Sequence, residues 1–89
     1  MRAVAVSLGD PRGVGPELVA RALPRVRGRW ILLGESRTLS GMPRGVGIEH
    51  RPCPKDAGMN ALLAGIDLCL SGEAGALFTA PVSKAALGV

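Results

Sequence analysis

Three short apolar runs, each closed by turn residues, constrain this chain more than any other feature. Ala3–Leu8 ends at Gly9-Asp10-Pro11, Trp30–Leu33 ends at Gly34-Glu35-Ser36, and Ala76–Thr79 runs into Pro81. Runs this short and this continuously apolar read as strands buried on both faces, which is the pattern of a parallel sheet. Helical periodicity separates them. Pro16 opens a helix at a position where a missing N–H costs nothing, and Leu18, Val19, Ala22 and Leu23 recur at helical spacing until Pro24 stops it near Leu23. Glu17 suits the start of that helix dipole, and Arg21 and Arg25 suit its end. A second helix is predicted over 56–71. Asp56 stands as N-cap, Gly72 as C-terminal stop, and Met59, Leu62, Leu63, Ile66 and Leu70 supply the apolar stripe. The stretch 38–54 shows no clear period and offers one weak strand near Ile48–Arg51. The order is strand, helix, strand, weak strand, helix, strand, so the expected class is α/β, built from βαβ units on a parallel sheet.

Composition sets the outer bounds. With 89 residues, 47% hydrophobic and 20% charged, the chain is globular, not disordered, and holds one small domain at most. A complete domain of this length is marginal, because it buries only about 60–65% of its unfolded surface. Cys53 and Cys69 form no C-x-x-C pair. One disulfide is arithmetically possible, but the pattern reads as a reduced, cytoplasmic protein, with Cys69 a small core residue between Leu68 and Leu70. No apolar run approaches the roughly 18 residues of a membrane helix, and the N-terminal run is too short for a signal-peptide core. The net charge of +4 comes from nine Arg and two Lys against seven acids. With one Trp, one Phe and no Tyr there is no stacking platform for single strands, so no nucleic-acid partner is expected.

Two loops carry the chemistry. Gly9-Asp10-Pro11-Arg12-Gly13-Val14-Gly15-Pro16-Glu17 joins the first strand to the first helix. Its glycines let backbone approach a ligand and leave N–H groups free for an anion, with Arg12 alongside. They are equally what a tight strand-to-helix turn needs. Gly13 and Gly15 give two of the three glycines of a dinucleotide fingerprint, and Glu35 lies where a ribose-binding acid would stand. The phosphate-binding Gly-Lys-Ser/Thr pattern is absent. The second loop, Thr79-Ala80-Pro81-Val82-Ser83-Lys84, places hydroxyls and a lysine at the same sheet edge. It reads as an anion contact or as an ordinary loop with a solvated lysine. His50 has no ligand-spaced neighbours except Glu49 and reads as a surface loop histidine, so no metal site can be assembled.

These two loops resemble the signatures of the 4-hydroxythreonine-4-phosphate dehydrogenase family. Its members open with a strand and Gly-Asp/Glu-Pro-Ala-Gly-Ile-Gly-Pro-Glu, and carry a later strand ending in Thr-x-Pro-x-x-Lys. Both occur here in order, with Arg12 where alanine is usual. The resemblance covers the whole chain but only the N-terminal portion of the family. The segment 36–55 is shorter than the family's equivalent, and the family's Gly-His-Thr-Glu and metal-binding histidines lie farther on.

The resemblance implies a fold like that of isocitrate and isopropylmalate dehydrogenases, in which residues 1–89 are one partial α/β domain of a two-domain homodimer. It implies an NAD- and divalent-metal-dependent oxidation of 4-phosphooxy-threonine, in pyridoxine biosynthesis. Asp10, Gly13 and Gly15 are then expected on the cofactor side of the cleft, and Thr79 and Lys84 on the side of the small phosphorylated substrate. None would be a catalytic base or metal ligand, and the chain alone is expected to be inactive. The fold analogy also weakens the ribose reading of Glu35. A portion of a larger sheet should show unpaired edges and exposed apolar surface. The alternative is a complete, non-enzymatic α/β module that binds an anion or nucleotide.

Overall fold

The computed structural model describes residues 2–9, 15–55 and 58–80. The strands are β1 (Ala3–Ser7), β2 (Trp30–Gly34), β3 (Ile48–Pro52) and β4 (Ala74–Thr79), and all their pairings are parallel, in the order β3-β2-β1-β4. The helices are α1 (Gly15–Ala22), the single turn α2 (Ser36–Leu39) and α3 (Met59–Ser71). Each apolar run of the sequence is a strand, and Ile48–Arg51 is one too.

Alternation along the strands divides the core in two. Val6 and Leu8 of β1 and its exit, with Leu32 of β2, join Val19, Leu23, Leu39 and Met42 on one face. Ala3 and Ala5, with Ile31 and Leu33, join Ala61 and Leu68 on the other. The helices therefore cover opposite faces, as a buried parallel sheet requires. Where Pro24 ends α1, the chain makes a 3₁₀ turn over Leu23–Arg25 before extending at Val26. Glu17 and Arg21 pair at 3.0 Å across one exposed turn of α1, an interaction worth only about 0.3–0.5 kcal/mol.

Two sequence expectations need correction. The predicted apolar stripe of α3 is largely its outer face. Met59, Leu63, Ile66 and Leu70 are exposed, while Ala61, Gly65 and Leu68 pack on the sheet. Small residues win the inner face because a close approach to β2 and β4 leaves no room for larger ones. A Cβ at Gly65 would lie 2.6 Å from a Leu77 methyl. His50 is not in a loop. It stands half-buried on β3, with Nε2 2.8 Å from the carbonyl oxygen of Pro43. A carbonyl only accepts, so Nε2 carries the proton, and buried Nδ1 has no partner among the described residues. Helix α3 begins at Met59 behind Gly58, and the predicted cap Asp56 lies outside the described residues. Gly72 closes the helix in the left-handed region, as the sequence suggests.

Arg51 on β3 reaches both Glu49 and Glu73, tying β3 to the turn before β4. The hydrogen bonds to Glu49 and then Glu73 raise its pKa above the ordinary guanidinium value. Both Cys53 and Cys69 pack against the second core cluster. No helix among the described residues is long and apolar enough to cross a membrane.

The two faces of burial predict a sharp contrast in stability. Leu32→Ala, at a fully buried site, should cost about 2–5 kcal/mol. Leu70→Ser, where the native side chain is 81% exposed, should change stability by less than about 0.5 kcal/mol. Urea unfolding followed by circular dichroism checks both.

Candidate functional site at the carboxyl edge of the sheet

From β1 the chain steps outward to β2 and β3, then returns to β4 on the other side of β1. Ligands of open parallel sheets bind outside the carboxyl ends of the strands where the order reverses in this way. Here that point lies between β1 and β4. The loops leaving these two strands are the two singled out in the sequence.

The ladder runs right up to this edge. Ala80 N–H donates to the Ser7 carbonyl at 2.9 Å, Leu8 N–H to Leu33 at 3.0 Å, and Cys53 N–H to Gly34 at 2.8 Å. Ser7 and Thr79 stand opposite each other in register, so their side chains share a face, the one covered by α3. Ser7 is fully buried, and its Oγ has no hydrogen-bond partner among the described residues. Thr79 is exposed. Gly15 is buried as the first residue of α1. Asp10, Gly13 and Lys84 lie outside the described residues.

One contact fixes the exit of β1. Gly58, at the start of α3, has φ +96°, and a Cβ there would lie 2.6–2.9 Å from three backbone atoms of Gly9. The two backbones touch with no side chain between them. Sequence reasoning missed Ser7 and Gly58. Ser7 is a lone hydroxyl at the end of an apolar run, which was the available signal. Nothing local marks Gly58, whose partner is 49 residues away in the chain.

Glu35 lies at the exit of β2 and makes no capping bond to α2. With Arg37, Lys55 and Cys53 it lines a separate polar hollow of about 490 Å³ beside β3. Among the described residues, no three His, Cys, Asp or Glu side chains gather as a metal would need. A divalent ion therefore finds no ligand set in the described part of the chain.

By sequence the chain is akin to oxidoreductases of the dehydrogenase kind. More particularly, it is similar to curated 4-hydroxythreonine-4-phosphate dehydrogenases. Enzymes of that name from Zymomonas mobilis, Geobacter metallireducens and Caulobacter vibrioides are 31%, 29% and 28% identical to it. The matches take in 94–98% of this chain but only 36–37% of each relative. No protein-family profile matches the chain. The aligned stretches, 120 to 127 positions long, exceed the 89 residues of this chain. Roughly thirty or more residues present in the relatives are thus missing from inside it.

Gly58→Ala should destabilise the chain by about 2 kcal/mol or more, combining left-handed strain with a backbone clash. Thermal unfolding of the variant beside wild type measures this. A loss below about 0.5 kcal/mol would show that the Gly9–Gly58 contact does not hold the loop.

Proposed function

We propose that this chain supplies the N-terminal part of an NAD- and divalent-metal-dependent, cytoplasmic dehydrogenase that oxidises 4-phosphooxy-threonine in pyridoxal phosphate biosynthesis. The observation that carries this reading is the adjacency of β1 and β4. Two signature loops, far apart in sequence, leave neighbouring strands at the sheet's reversal point. The kinship with named dehydrogenases supplies the reaction class. The whole enzyme on this reading is a two-domain homodimer resembling isocitrate and isopropylmalate dehydrogenases.

The roles of the residues follow from their chemistry. Asp10, Gly13 and Gly15 would line the cofactor side, where glycines allow close backbone approach. The Lys84 ammonium would pair with the substrate's phosphate, and the Thr79 hydroxyl would hydrogen-bond it. Bound NAD supplies hydride acceptance, and the protein orients the substrate toward it. No step is assigned to the metal, because the described residues offer it no ligands.

The test is a chimera in which this chain replaces the matching portion of the Zymomonas mobilis relative. With 4-phosphooxy-threonine, NAD and a divalent metal it should form NADH, whereas the isolated chain should form none. In the chimera, Lys84→Ala should lower kcat/KM by about 10- to 100-fold, the loss of one charged hydrogen bond. Turnover by the isolated chain, or a Lys84→Ala chimera as active as its parent, would refute the assignment.

A further inference from the structure

The starts of parallel strands gather at one edge of a sheet, opposite the edge where the two signature loops leave. The Arg29 carbonyl accepts from Val4 N–H at 2.9 Å, and the Gly47 carbonyl from Trp30 N–H at 2.7 Å, so the segments entering β1, β2 and β3 lie side by side. Arg25 ends the 3₁₀ turn, Arg27 and Arg29 lead into β2, and Arg44 stands shortly before β3. These segments meet through bare backbone: a Cβ at Gly47 would lie 2.8 Å from the Gly28 carbonyl oxygen. That contact sets Arg27 and Arg29, on either side of Gly28, beside the segment that bears Arg44. All four arginines are exposed, and none has an ion pair among the described residues. Glu49 and Glu73, which enter with β3 and β4, are both held by Arg51. The rim is therefore strongly positive. Val46 projects from it. Ile48 N–H donates to the Gly45 carbonyl at 3.1 Å, so Val46 and Gly47 are the central pair of a tight turn, with Gly47 at φ +86°. Val46 is fully exposed at that tip.

We propose that this amino edge docks on the surface of a membrane leaflet rich in anionic phospholipid. The planar guanidinium forks of Arg25, Arg27, Arg29 and Arg44 pair with headgroup phosphates, and Val46 enters the boundary between headgroups and acyl chains. Attraction to anionic lipid and buried apolar area both contribute to such binding, so a basic rim and an apolar tip act together. A nucleic-acid backbone offers the same phosphates but gives Val46 no apolar place, which favours the bilayer. The candidate site, at the carboxyl edge, then faces away from the leaflet. The surface stands on this chain's own residues and requires no turnover.

The test is co-sedimentation of the 89-residue chain with phosphatidylcholine vesicles, with and without about 30% phosphatidylglycerol. Binding is expected to the anionic vesicles only, falling at least about tenfold between about 50 and 200 mM salt as the charges are screened. Arg27→Gln with Arg44→Gln should lower partitioning about 25-fold, roughly fivefold for each cation lost, with circular dichroism unchanged. Lys55→Gln, which removes one charge beyond the far end of β3, should leave partitioning within about twofold. Val46→Trp should strengthen binding at least about threefold, and its emission should shift to the blue on anionic vesicles beyond any change at Trp30 in the wild type. No vesicle binding by the folded chain would overturn the proposal. So would a loss in Lys55→Gln equal to that in Arg27→Gln alone, or an unshifted emission in Val46→Trp. Tighter binding to duplex RNA at the same salt, indifferent to residue 46, would assign the rim to nucleic acid and overturn it too.

Discussion

Strand β1 is paired on both sides and covered on both faces, and the other elements are arranged around that demand. Five residues must satisfy two ladders while presenting Val6 to one core and Ala3 and Ala5 to the other. A strand so placed has no polar face to give to water, which is why its run is apolar but for Ser7. Its neighbours inherit the constraint. β2 repeats the division with Leu32 against Ile31 and Leu33, and the helices must lie on opposite sides to close both cores.

The same demand creates the site. A parallel sheet brings every strand's exit to one edge, so the polar loops that interrupt the apolar runs collect there without any contact between them in sequence. Ser7 and Thr79 come side by side because their strands are in register. The Gly9–Gly58 contact then fixes where the first loop leaves.

Most of this architecture was legible because it rests on local signals. Buried strands declare themselves by short apolar runs, and helix ends by Pro24 and Gly72. The failures share a cause. The stripe of Met59, Leu62, Leu63, Ile66 and Leu70 marks an apolar side of α3, but hydrophobicity alone cannot say which side of a helix approaches a sheet. The inner face was set by the close passage of Gly65 over Leu77, a tertiary fact. His50 was misplaced because β3 is short and half-polar, and the Pro43 carbonyl that holds its ring lies across a turn. The single turn α2, Ser36–Leu39, straddles the start of the stretch 38–54, which has no clear period. The site was legible as two loops at one edge. Ser7 and Gly58, which matter only through residues distant in the chain, were not.

The bare contact between Gly9 and Gly58 has a consequence for how such a chain can diverge. A side chain at 58 is barred by backbone and not by a movable neighbour. The exit loop of β1 can change its charge or its ligands one residue at a time. Position 58 has no such gradual path, since even a methyl group requires α3 and the loop to separate together. In a lineage that lost its catalytic residues, this glycine should outlast them, as a record of the scaffold and not of the reaction.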